Sequence, residues 1–276
     1  MIGPIPTDRK KLARIFANRH VPTENVAFYN YPDFIAEEQK DAAFLELYGA
    51  WVRLRARDAT YDAHVRRIVP LVVGILGAEI ARDPQKGVCT DASMMLTKML
   101  ELVGIWCYAA KGALKIESAK LDCATHFYLY DDHPVAGHVW VVAPPFEIID
   151  VALGNQLFSH GEEALVPQSL VLEEPRRVVA HAADYCSMAA LRKIAKHGGP
   201  VAPDIHLKNA PGLARTTAFF PSFDVDLEQA TLRYAMGGVM VSDAPSLYAI
   251  TSRRWNGRLP GELFDELVRP ALSVVS

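Results

Sequence analysis

The feature that most constrains this chain is a change of hydrophobic period just after residue 104. In "CTDASMMLTKMLELV", which starts at Cys89, the residues Ala92, Met95, Leu96, Met99, Leu102 and Val103 recur at three- and four-residue spacing. That spacing puts them in one stripe of a helix of about four turns. Gly104 follows as the natural stop, because glycine adopts the left-handed backbone that ends a helix. Beyond it, "WCYAAKGALKI", "THFYLYD", "HVWVVA" and "FEIIDVAL" are short β-rich runs, separated by turn formers in "DDHPVAG" and "APP". A helix that leads into an antiparallel meander must bury its stripe on the sheet, which predicts an α+β fold.

The flanks are read in the same way. Phe44, Leu45, Leu47, Tyr48, Trp51, Val52 and Leu54 make the stretch from Phe34 to Ala81 helical, with Pro70 expected to split or kink it. Downstream, residues 175 to 197 are expected to be helical, 198 to 225 are rich in proline and glycine, and "GELFDELVRP" reads as a short terminal helix. No internal repeat or linker breaks the chain. Residues 1–276 are therefore expected to form a single domain, with a helical flank (1–84), a core (85–155) and a mixed C-terminal part (156–276).

Half of the 276 residues are hydrophobic, enough to bury a sizeable core. With 29 basic and 32 acidic residues the net charge is −3, which argues against nucleic acid or an anionic lipid surface as partner. The clusters Arg53, Arg55, Arg57 and Arg253, Arg254, Arg258 read as solvated faces. The first twenty residues hold no apolar core of leader length, and "IVPLVVGILGAEIA", bounded by Arg66, Arg67 and Arg82, is too short to span a bilayer. The expectation is a cytoplasmic protein without a membrane partner. None of the four cysteines pair as C-x-x-C, so each is expected to be a free thiol.

Three residues carry the chemistry. Cys89 opens a helix, where unpaired amides and the positive end of the macrodipole favour a thiolate, and Gly87 allows a tight backbone entry. His138 opens "HVWVV". Asp150 ends "FEIID" inside an apolar strand, where a buried carboxylate needs a partner. If the two runs form a hairpin folding about Pro144, His138 lies directly opposite Asp150, with their Cβ atoms about 5 Å apart on one face. Thiol, imidazole and carboxylate are the set required for acyl transfer through a thioester. The Cys89 amide is expected to help hold the oxyanion, with Gln85 as a second candidate donor. Trp51 and Trp106 read as packing, and Trp140 as packing or as a wall of the cleft.

In order along the chain, "GVCTDASMMLTKMLELVGI", "GHVWVV" and "FEIIDVAL" resemble the core of the transglutaminase-like superfamily. The resemblance covers about residues 85–155. It implies a papain-like fold with Cys89 as nucleophile, His138 as base and Asp150 as orienting acid. It also implies a peptide, protein or small amide substrate and no cofactor. Thr90 stands where transglutaminases often carry an aromatic, and no calcium loop is evident. "DVALG" also resembles arylamine N-acetyltransferases, which share the triad, although their arginine-rich lead into the cysteine is missing.

Two other readings stay open. Cys123, His126, Asp131, Asp132, His133 and His138 are a possible metal-ligand set, although their spacings match no standard zinc site. A non-catalytic binding module of the same fold is the other. Cys107, Cys123 and Cys186 read as structural.

Overall fold

A computed structural model describes residues 3–131, 137–158, 161–195 and 204–275. Helices α1 (Arg9–Ala17), α2 (Pro32–Lys40), α3 (Phe44–Arg53) and α4 (Ala59–Arg82) precede α5 (Cys89–Leu102). Four strands follow: β1 (Tyr108–Glu117), β2 (Thr125–Phe127), β3 (His138–Ala143) and β4 (Phe146–Asp150). Then come β5 (Leu170–Leu172), β6 (Arg176–Val178), the short helices α6 (Ala182–Tyr185), α7 (Met188–Ala195) and α8 (Ile205–Asn209), and α9 (Pro211–Phe219). Strands β7 (Ser222–Asp226) and β8 (Thr231–Met240) complete the sheet. The chain closes with α10 (Pro260–Leu263), which runs through a wider turn at Phe264–Val268 into α11 (Arg269–Val275).

The fold is mixed helix and antiparallel sheet. The strand order is β5-β4-β3-β1-β8-β7-β6, with β2 paired to β1 beyond the end of β3. Among the described residues, these strands all pair antiparallel. Every residue of β3 is buried, because both faces of the sheet are covered. Trp140 and Val142 pack into a cluster with Phe16, Phe28, Phe44, Tyr48 and Trp51 of the N-terminal segment. Val141 and Ala143 pack into another with Val72, Leu76, Met95 and Met99 of α4 and α5.

The expected N-terminal helical stretch is three helices, and Pro70 does not split the last of them. Helix α4 runs through it. Pro70 is exposed, and Val65, Ile68, Val69, Val72, Val73 and Leu76 are buried on both sides of it. That packed stripe offsets the roughly 3 kcal/mol a proline costs inside a helix. Helix α5 ends as expected: Gly104 takes φ +76°, and the Ile105 amide donates to the Leu100 carbonyl at 2.9 Å. The helix expected over residues 175 to 197 is instead strand β6 followed by α6 and α7. The stretch 198–225, read only by its proline and glycine, holds α8, α9 and most of β7 among its described residues.

Candidate active site

Cys89 is the first residue of α5. Its entry is set by Gly87 at φ +67°, and no side chain caps the helix at Val88. The first-turn amides thus keep their donor capacity for an anion. The approach loop is held from two sides. Asp83 accepts from the amides of Gln85 (3.0 Å) and Asn256 (2.9 Å). On the other side, Asn155 accepts from the Gly87 amide at 2.8 Å through its carbonyl, while its Nδ2 donates to the carbonyls of Ile80 (3.0 Å) and Gln85 (3.4 Å). Asn155 lies five residues beyond Asp150, so one side chain ties the acid's strand to the thiol's loop.

His138 and Asp150 meet as a buried pair, with Nε2 2.6 Å from Oδ2 and the two residues 0% and 1% exposed. The register differs from the expected hairpin. The observed pairs are Val141 with Ile149 and Ala143 with Phe146, and the ladder shifts between them. Extending the Val141–Ile149 pairing sets Asp150 opposite Trp140, so His138 reaches it diagonally. The displacement is by two residues, which preserves the face because side chains alternate with a period of two.

The second imidazole nitrogen, Nδ1, has no partner in hydrogen-bonding geometry. The Cys89 thiol is nonetheless close enough for hydrogen-bonding and charge interactions to act on both groups. Such contacts tighten when a reacting group enters. Burial and the Asp150 charge push the Cys89 thiol up, but its interactions with the His138 imidazolium and the Val139 backbone outweigh them, leaving the thiol below its ordinary value. Burial also disfavours the His138 imidazolium, and Asp150 more than offsets that, raising the imidazole to about 10. Both directions favour the thiolate–imidazolium pair over the neutral thiol and imidazole. By contrast, burial drives Cys107 well above the ordinary thiol range and Cys186 up to about 11. Cys123, read as structural, is exposed.

Trp140 is 1% exposed and its ring stacks against His138 at 6.3 Å and 17°. Gln85 is exposed, and its Nε2 donates to the Arg254 carbonyl at 3.4 Å. Beside α5, a cavity of about 350 Å³ is lined by Thr90, Asp91, Met94, Met240, Arg253 and their neighbours. Cys89 does not line it, and only 6% of the residue is exposed. Arg253 is drawn to this helix by Asp91, at 3.1 Å.

Sequence reasoning missed Tyr234. This residue of β8 is fully buried and its hydroxyl donates to Asp150 Oδ2 at 2.9 Å. The alternation Leu232, Tyr234, Met236 in "TLRYAMGGVM" is the strand signal that points to it. Of the metal-ligand set, Asp132 and His133 lie outside the described residues. Among the described residues, no group of three or more histidine, cysteine, aspartate or glutamate side chains gathers where it could hold a metal. Also among them, no helix is long and apolar enough to cross a membrane.

Compared with protein-family models, with curated proteins and with solved structures, the chain has no match in any of the three.

Proposed function

We propose that the protein is a thiol-dependent acyl-transfer enzyme with a papain-like core of the transglutaminase-like kind. The observation that carries this reading is the convergence of Cys89, His138 and Asp150 from a helix N-terminus and two strands. The Cys89 thiolate attacks the carbonyl carbon of an amide, and the imidazolium of His138 protonates the leaving amine. Asp150 holds Nε2 of the imidazole, which leaves Nδ1 to serve the thiol. The Cys89 backbone amide, at the uncapped helix start, stabilises the oxyanion. Water or an amine then resolves the thioester, giving hydrolysis or transfer, as in a cysteine protease, a deamidase or a transglutaminase. Peptides, proteins and small amides are the substrate class.

A non-catalytic module of the same fold is the second reading. It is favoured by the burial of Cys89 and His138, which leaves little of the thiol within reach of solvent. An acyl-enzyme test separates the two. Incubated with p-nitrophenyl acetate, the wild-type chain is expected to gain one acetyl group on Cys89, read by peptide mass spectrometry, and His138→Ala is expected to lose it. Equal acetylation of the two, or none of either, rejects the enzyme reading in favour of the module.

A further inference from the structure

We propose that Tyr234 is a positioning residue that fixes the Asp150 carboxylate toward His138, making the working unit four residues rather than three; this rests on the acyl-transfer reading above. Asp150 is 1% exposed, so each of its oxygens must find donors within the protein. Oδ1 accepts from the Ala152 amide at 3.3 Å, a long bond that by itself leaves the carboxylate loosely oriented. Oδ2 takes both short bonds, 2.6 Å from His138 Nε2 and 2.9 Å from the Tyr234 hydroxyl. Without the phenol, rotation of the carboxylate is restrained only by the long bond from Ala152 and by the imidazole it is meant to hold.

Tyr234 is itself fully buried and packed on both sides. It pairs with Leu114 of β1 and Phe223 of β7, and its ring packs edge-on against Trp140 at 5.2 Å and lies 5.9 Å from the His138 ring. The same residue therefore sets the angle of the carboxylate and one wall of the imidazole. Burial and the neighbouring carboxylate push its phenol well above the ordinary range, so it stays a donor throughout the working pH range. The titratable groups facing the thiol are His138 and Asp150. Those facing His138 are Asp150 and Cys89, with Tyr234 at its ring.

The test is alkylation of Cys89 by iodoacetamide against pH, resolved by peptide mass spectrometry, in the full-length wild type, Tyr234→Phe and Asp150→Asn. Loss of the phenol is expected to move the Cys89 titration midpoint upward, in the direction of Asp150→Asn and by less. Alkylation at pH values below the wild-type midpoint is then about tenfold slower. A second readout is the low-field proton resonance of the His138–Asp150 hydrogen bond, expected to shift or vanish in Tyr234→Phe. Site-specific 4-fluorophenylalanine at position 234 fills the hydroxyl's space without a proton to donate, and carries the same expectation should the Phe variant not fold.

A Tyr234→Phe titration that superimposes on wild type while Asp150→Asn is displaced overturns the positioning role. So does a lowered melting temperature with an unmoved midpoint, which marks packing alone. If the wild-type Cys89 titrates like an ordinary thiol, the acyl-transfer reading falls first and the positioning role falls with it.

Discussion

At the residue scale, the site is an exercise in offsetting burial. Cys89 and His138 each pay a desolvation penalty, and each recovers more than that penalty from the charged form of its neighbour. The signs give a pH profile. The thiol is depressed, so thiolate forms as pH rises through a midpoint below the usual range. The imidazole is raised, so the imidazolium that protonates the leaving amine is lost as pH climbs through about 10. Acyl transfer should therefore be bell-shaped in pH, with its acid limb set by Cys89 and its alkaline limb near 10, measurable as single-turnover rates on an activated amide. In His138→Ala the penalty on the thiol is left largely unopposed. Its alkylation midpoint should rise to the ordinary thiol value or beyond. Cys89, His138 and Asp150 were legible as candidates because helix starts, strand starts and a carboxylate in an apolar run are local signals. Tyr234 was not, since nothing adjacent to it in sequence announces a carboxylate 84 residues away.

At the element scale, what was readable depended on how local the determinants are. Helix α5 and its glycine stop follow from residues within one segment. The β3–β4 hairpin was placed with the correct face and a register displaced by two residues, because the ladder shift between Val141 and Ala143 leaves no mark in the sequence pattern. Pro70 misled for the opposite reason: a local rule was outweighed by packing on a distant partner. The joint between these elements is Asn155, whose side chain and carbonyl hold residues 80, 85 and 87, and whose Oδ1 accepts from Gln168 Nε2 at 2.5 Å. Asn155→Ala removes one donor from the Ile80 carbonyl, which keeps only the Asp83 amide at 3.1 Å, and takes the acceptor from Gln168 Nε2. It should cost about 2 kcal/mol in urea unfolding and slow Cys89 alkylation, whereas a packing defect confined to its own turn would leave the thiol rate unchanged.

At the scale of the whole molecule, residues 85–155 are not a unit of the sheet. Strand β1 pairs along nearly its full length with β8, which starts at Thr231. A fragment of residues 85–155 would carry Cys89, His138 and Asp150 together with α5, and lack the strand on the other side of β1 as well as helices α1 to α4. It should show no cooperative thermal transition by circular dichroism, while the full chain does. The distant strands β7 and β8 escaped sequence reading because their partners are long-range. β1 and β8 are separated by more than a hundred residues, and short alternating runs carry little information about which strand they join.

The position of β8 also orders events in time. A ribosome adding 5–20 residues per second needs roughly 4–17 s to travel the 84 residues from Asp150 to Tyr234. Throughout that interval the nascent chain already holds its cysteine, histidine and aspartate, and the strand that clasps the last of them has not been made. If the proposed acyl-transfer reading holds, the thiol gains its full reactivity only late, as the sheet closes around Asp150.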